Sequence, residues 1–482
     1  MASVKKNFMY QAFYEVLIII LPLITSPYVS RVLGVSNVGT YSFTYATANY
    51  FVIFAFLGIK KYGNREISRK RDNQELLNKT FSSILILHFI VAGLAVLAYF
   101  CYALFSSAEI RVYTIISGAY VVAAFFDITW FFFGLEKFKL TVVRNSVIKL
   151  VSVICIFIFV RNNNDLWKYI AILAFANLFG QISLWGYVFK FVKICKVTAN
   201  DIFKHLSPMF VLFIPTIATS LYNYMDKIMV GAISGNRQLG LYENSEKIIS
   251  VLVSVIGSVG TVMLPKMSNL IATGNKEKEK YYIDASMQFV MCISIGMTFG
   301  LIGIANVFAP IFWGIEFSEC ALLLIFLAIV LPVKGYTNIV LTHFLIPNKQ
   351  DKQYTLSVSV GAFVNFIINF LLIPKMESMG AVIGTIVAEV SVCIIEAYAC
   401  RKELTIGRYI LESFPYLIIG AVMFCCVKGV GLLLDAGILS MVLQIIFGAM
   451  VYGFLCIIYF KKTNNRVFLN TLDGMLYKLK NH

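Results

Sequence analysis

Runs of about 20 apolar residues recur along almost the whole chain, and about 20 residues is the length a helix needs to cross a hydrocarbon core about 30 Å thick. Approximate windows are 13–33, 38–59, 81–105, 112–134, 142–160, 167–189 and 206–233, then 239–264, 284–305, 320–346, 355–373, 379–400, 414–434 and 437–460. A backbone in lipid must satisfy its own hydrogen bonds, so about fourteen such windows predict an all-α integral membrane protein. Its 59% hydrophobic and 14% charged residues agree. Linkers stay below about 20 residues, which leaves no room for a soluble catalytic domain and argues against an enzyme. The first window follows Lys5 and Lys6 but lacks a small-residue cleavage site, so it is expected to be retained rather than removed as a signal.

A net charge of +16 raises nucleic acid as a partner, but the placement of the cations argues for topology instead. With the N-terminus in the cytoplasm, about 30 of the 41 Lys and Arg fall on cytoplasmic segments, from Lys5 and Lys6 through the Lys60–Arg71 cluster, Lys137, Lys190, Lys276 and Arg401 to Lys461. The outer segments hold only Arg111, Arg161, Lys168, Arg237 and Lys375. Both termini are therefore expected inside, and no nucleic acid is expected. The ten cysteines show no CxxC spacing, and His88, His205, His343 and His482 share no motif, so neither a metal nor another cofactor is expected.

Self-similarity organises the chain. RVLGVSNVGTYSF after the first window resembles IMVGAISGNRQLGLYENS after the seventh, matching Gly39 with Gly240 and Tyr41 with Tyr242. A repeat of six spans enters the membrane twice from the same side, which implies two parallel six-helix bundles, 1–200 and 201–405, followed by two extra helices and a tail, 406–482. Pro22 and Pro27 fall in the first window and Pro208 and Pro215 in the repeat-matched seventh, making these four the candidate hinges.

Arg31, Lys149, Lys227, Lys247, Lys334 and Lys428 lie inside windows, where an unpaired charge at the bilayer centre costs roughly 2.5–3.5 kcal/mol on insertion scales. Lys149 is near a cytoplasmic end and can snorkel. Asn223, Asp226 and Lys227 follow i, i+3, i+4 spacing in the seventh window; Glu243 and Lys247 form an i, i+4 pair in the eighth. Lys334 has no acid within a turn. Two readings stand side by side: an ion-pair network tying the seventh and eighth helices together, with Asp226 reaching a cation and Lys227 an acid, or a cation-lined wet cavity for an anion with several oxygens. Glu15, Asp127, Glu389 and Glu396 are further intramembrane acids that suit a coupling proton or cation, while Asn365 and Asn369 suit interhelical bonding.

The strings LPLITSPYVSRVLG, GIKKYGNREIS, NYMDKIMVG, GLYENSEKI and TVMLPKMS resemble the polysaccharide-transport branch of the multidrug/oligosaccharidyl-lipid/polysaccharide exporter superfamily, and more narrowly its Wzx-type flippases. The resemblance implies an undecaprenyl-pyrophosphate-linked oligosaccharide moved from the inner to the outer leaflet of a bacterial cytoplasmic membrane by alternating access. It also implies a cation-lined cavity that falls by motif on Arg31, Asp226, Lys227 and Lys247; Asn223, Glu243 and Lys334 join the candidate substrate-binding set from the residue reading alone. Lipid II flippases of the same superfamily use two extra helices for the lipid tail, so 414–460 is expected to do likewise. Membrane lipids and a polysaccharide polymerase are the further expected partners, and a monomer the expected state. Membrane potential, which favours outward movement of negative charge, and proton or sodium exchange through Asp226 or Glu243 remain alternative energy sources. A drug or metabolite antiporter of the same fold would want acids dominating the cavity; a membrane glycosyltransferase or polymerase would want a large outer loop with catalytic carboxylates.

Overall fold

The computed structural model describes residues 2–464, apart from the side chains of 2–15, 215, 218, 219, 221, 222 and 406. Glu15 and Pro215 lie outside the described residues. In chain order the helices are α1 (Ala2–Phe56), α2 (Ile59–Lys70), α3 (Gln74–Phe105), α4 (Ala108–Phe125), α5 (Thr129–Gly134), α6 (Phe138–Phe159), α7 (Leu166–Ser183) and α8 (Trp185–Val188). They continue with α9 (Ala199–Phe203), α10 (Leu206–Ala272), α11 (Lys276–Trp313), α12 (Cys320–Leu327), α13 (Val330–Ile339), α14 (Asp351–Cys400), α15 (Ile406–Leu433) and α16 (Ile438–Lys462). Among the described residues, 11 helical stretches are long and apolar enough to cross a membrane, and the chain is a multi-pass membrane protein.

Three long helices each break at one residue: α1 at Gly34 (φ 75°, ψ 171°), α10 at Gly235 (φ 85°, ψ 171°) and α14 at Glu377 (φ 52°, ψ −131°). The first two conformations are open essentially to glycine alone. Contacts show that α10 and α14 turn back on themselves there. A straight helix would separate residues 361 and 392 by about 46 Å, yet a Cβ built on Gly361 would stand 2.5 Å from Val392 Cγ2. The expected multi-residue loops thus shrink to single residues. Pro22 and Pro27 keep helical backbones inside α1. Pro208 sits in the first turn of α10, where a missing N–H breaks no ladder bond.

Two compact units divide at Glu243 and Asn244, within α10. In the first unit, α2 packs on α3 and α5: Gly63 has no room for a side chain because the Trp130 ring would lie 2.6 Å from its Cβ. Trp130 stacks on Phe81 at 5.7 Å in a core with Ile59, Ile67 and Phe131. Asp127 anchors the start of α5 by accepting from Thr129 N (2.8 Å) and Oγ1, and holds Lys60 at 3.7 Å. His205, just before α10, is clamped between Tyr62 Oη (2.6 Å) and Ser83 Oγ (3.1 Å).

In the second unit α11 is the central element, packed by α12, α13, α15 and α16. Cys292, Ile295, Tyr416, Cys456 and Phe460 form the core that joins the C-terminal helix pair to it, and Tyr452 donates to Cys292 O at 2.7 Å. In the first turn of α15, Arg408 pairs with Asp284 (3.3 Å) and Glu412 (2.6 Å), and Tyr409 donates to Asp284 at 2.6 Å. The turn after α13 is a π-helix, Val340–Leu345, in which His343 is buried between Thr342 (2.9 Å) and Ser286 (3.0 Å).

Candidate functional site: two buried ion pairs

Lys227 and Glu243 are 16 residues apart, about 24 Å along an unbroken helix, yet Lys227 Nζ meets Glu243 Oε2 at 2.8 Å. Reversal at Gly235 brings them together, and the same reversal lets Tyr242 Oη donate to Asp226 Oδ2 at 2.8 Å. Ser42, beyond the Gly34 break of α1, donates to Glu243 Oε2 at 2.7 Å. Glu243 Oε2 is therefore shared by an ammonium and a hydroxyl, a charge-assisted arrangement about twice as strong as neutral bonds. Asp226 and Glu243 are buried, and the Lys227 side chain is 14% exposed.

Four tyrosines lie beside this cluster in the first unit. Tyr41 stacks on Tyr45 at 5.6 Å and meets Tyr169 edge-on at 4.9 Å, while Tyr45 meets Tyr120 edge-on at 5.1 Å. Tyr45 is within electrostatic reach of both Lys227 and Glu243. Tyr41, Tyr45 and Tyr169 keep part of their surface open. The arrangement joins an ammonium able to receive an anion to aromatic faces and hydroxyls suited to polar, ring-shaped groups.

The second unit holds a separate pair. Lys334 on α13 contacts Glu389 on the second arm of α14 through Nζ and Oε1, with side chains 28% and 6% exposed. On the same arm Glu396 Oε1 accepts from Ser357 of the first arm at 3.1 Å, and within the first arm Asn369 donates to Asn365 at 3.2 Å. Of the remaining candidates, Arg31 and Asn223 are exposed and Lys247 is half-buried on the second unit's stretch of α10. The expectation that Lys227 meets an acid thus holds. The partners that sequence reading missed are Ser42 and Tyr242, for which the repeat match of Tyr41 with Tyr242 was the available signal, and Glu389 for Lys334, for which sequence gives no signal.

A family model described as polysaccharide biosynthesis protein matches residues 4–271. Putative O-antigen transporters from Shigella dysenteriae and Escherichia coli K12 are each 24% identical, over 77% and 80% of this chain and 93% and 94% of their own lengths. A capsular polysaccharide biosynthesis protein, CapF, from Staphylococcus aureus is 24% identical over 83% of this chain and 99% of its own. Among solved structures, a lipid II flippase, MurJ, in an inward closed conformation superposes with TM-score 0.78 at 17% identity, covering 95% of this chain and 99% of that one. A MATE-family multidrug transporter facing inward gives 0.60 at 12% identity, covering 83% and 95%. These two share the fold, and the match over more than half of the chain settles its kinship: the chain belongs to the polysaccharide biosynthesis protein family.

Proposed function

We propose that this protein is a flippase that carries undecaprenyl-pyrophosphate-linked oligosaccharide repeat units from the inner to the outer leaflet of the bacterial cytoplasmic membrane. The observation that carries the reading is the buried Lys227–Glu243–Ser42 cluster beside partly exposed tyrosines, in a family of polysaccharide biosynthesis proteins. A pyrophosphate offers Lys227 more negative oxygens than Glu243 does, so substrate competes for the ammonium while Ser42 continues to hold the carboxylate. The Tyr41, Tyr45 and Tyr169 rings receive the sugars, and the prenyl chain stays in lipid.

In this reading each arm of the broken α1, α10 and α14 crosses separately, giving about fourteen crossings. The bundles 1–200 and 201–405 act as parallel repeats with both termini cytoplasmic, the segment 414–460 serves the lipid tail, and alternating access proceeds by movement of one bundle against the other. Arg31, Asn223, Asp226, Lys247 and Lys334 complete the substrate set, with Pro22, Pro27, Pro208 and Pro215 as hinges. Both ion pairs contain a cation and an acid, so the acid-dominated cavity wanted by a cationic-drug antiporter has no special support here.

The test is translocation of a fluorescent undecaprenyl-pyrophosphate oligosaccharide in proteoliposomes by wild type, Lys227→Ala, Lys334→Ala and Asp226→Asn. Transport by wild type and its loss in Lys227→Ala, with folding retained, is the expected result. A wild-type protein that leaves the lipid in its original leaflet defeats the proposal.

A further inference from the structure

Glu396 is the one acid of the second unit whose carboxylate is buried with an oxygen left bare among the described residues. The residue is 1% exposed; Oε1 accepts from Ser357, whose one hydroxyl proton is shared with Tyr354 O at 2.8 Å, and Oε2 has no hydrogen-bond partner. An ionised carboxylate removed from water with a bare oxygen is heavily disfavoured unless a cation or a proton reaches it. Glu389, two turns earlier on the same arm, already has the Lys334 ammonium.

Among the described residues, the groups within electrostatic reach of Glu396 include no second cation. On its own arm stand Glu389, Cys393 and Cys400, and from the first arm of α14 come Ser357 and Tyr354. From α13, Tyr336 lies within electrostatic reach, and its hydroxyl is also buried without a partner. The titratable group of α12 is the Cys320 thiol, and that of the π-helix is His343, whose two ring nitrogens are bonded to Thr342 and Ser286. Among the described residues, the titratable groups within electrostatic reach of Glu396 are acids, thiols and phenols.

We infer that Glu396 is a proton-binding site of the second unit, taking up one proton on Oε2 and returning it when the surroundings of the carboxylate rearrange. Binding converts the carboxylate to a neutral acid and involves no other bond or electron transfer. Its use as the coupling proton of transport rests on the flippase reading, whereas the site itself does not.

Infrared difference spectra of the full-length protein in nanodiscs, stepped from acid to alkaline buffer in light and heavy water, test the site without any substrate. A deuterium-sensitive carboxylic-acid carbonyl band should disappear on the alkaline step in wild type and in Glu389→Gln, and be absent from Glu396→Gln. Ser357→Ala removes the one bond that favours the charged form and should move the band's midpoint to more alkaline pH; this variant keeps the test decisive should Glu396→Gln fold poorly. A band that persists in Glu396→Gln, or a midpoint unmoved by Ser357→Ala, overturns the site. In proteoliposomes, Glu396→Gln should lose the dependence of flipping on an imposed pH gradient. A dependence equal to wild type overturns the coupling role alone.

Discussion

Gly39 lies against the carbonyl oxygen of Asn236 so closely that a Cβ built on it would stand 1.7 Å from that oxygen, and Gly240 faces the carbonyl oxygen of Val35 in the same way at 2.1 Å. The relation is reciprocal. Val35 follows the Gly34 break and Asn236 follows the Gly235 break, so the arm after each break brings its glycine against the first residue of the other. Overpacking in a core costs about 1–3 kcal/mol when side chains can move; here the obstacle is backbone. Gly39→Ala and Gly240→Ala should each lower the thermal midpoint in detergent well beyond the effect of Gly429→Ala, where nothing lies within 4 Å of the added carbon. Equal midpoints for the three variants would mean that the arms separate without cost.

Removing one member of the Lys227–Glu243 pair leaves the other charge buried, which typically costs about 3–5 kcal/mol, whereas replacing both often costs far less. Lys227→Met and Glu243→Gln should therefore each destabilise the protein, and the double variant should recover most of the loss while remaining unable to transport. Chemical denaturation of the four proteins gives the coupling directly. Additive losses would show that the pair contributes nothing beyond its separate residues.

The membrane class and the positions of the helices were legible because an unbroken run of about 20 apolar residues suits little besides a bilayer. Lys227 was legible as needing an acid, since an intramembrane cation demands one. Its choice of Glu243 was not: that depends on the chain reversing at Gly235, and one glycine among 31 does not announce a positive φ. Lys334 and Glu389 are separated by most of α14, and only tertiary packing brings them together. The prolines drew attention as breaks, yet α1 and α10 break at glycines, because a positive φ is closed to proline while a bend in a membrane helix is not.

His205 makes the stability of the first unit depend on pH. Ser83 Oγ donates to the carbonyl of Lys79 at 2.8 Å, so it accepts from His205 Nε2, and Nδ1 accepts from Tyr62. Both ring nitrogens are thus satisfied in the neutral form. Burial, reinforced by the charges of Lys204 and Lys70, lowers the imidazole to about 4, against about 6.5 in an unfolded chain. Between those values the unfolded chain binds a proton that folded His205 refuses, so this contribution is complete above about 6.5 and is lost as the pH falls towards about 4. His205→Gln should flatten that limb of the stability profile. A limb as steep as in wild type would assign the acid sensitivity to other groups.

Orientation decides the direction of transport, and the uneven distribution of Lys and Arg fixes an expectation for it. Arg111 and Lys137 are both exposed and lie at opposite ends of the stretch running from α4 through α5. In a background with the ten native cysteines replaced, Arg111→Cys should react with a membrane-impermeant maleimide in intact cells. Lys137→Cys should react only after the membrane is opened. The reverse pattern would place the termini outside and turn the proposed outward flipping into inward movement.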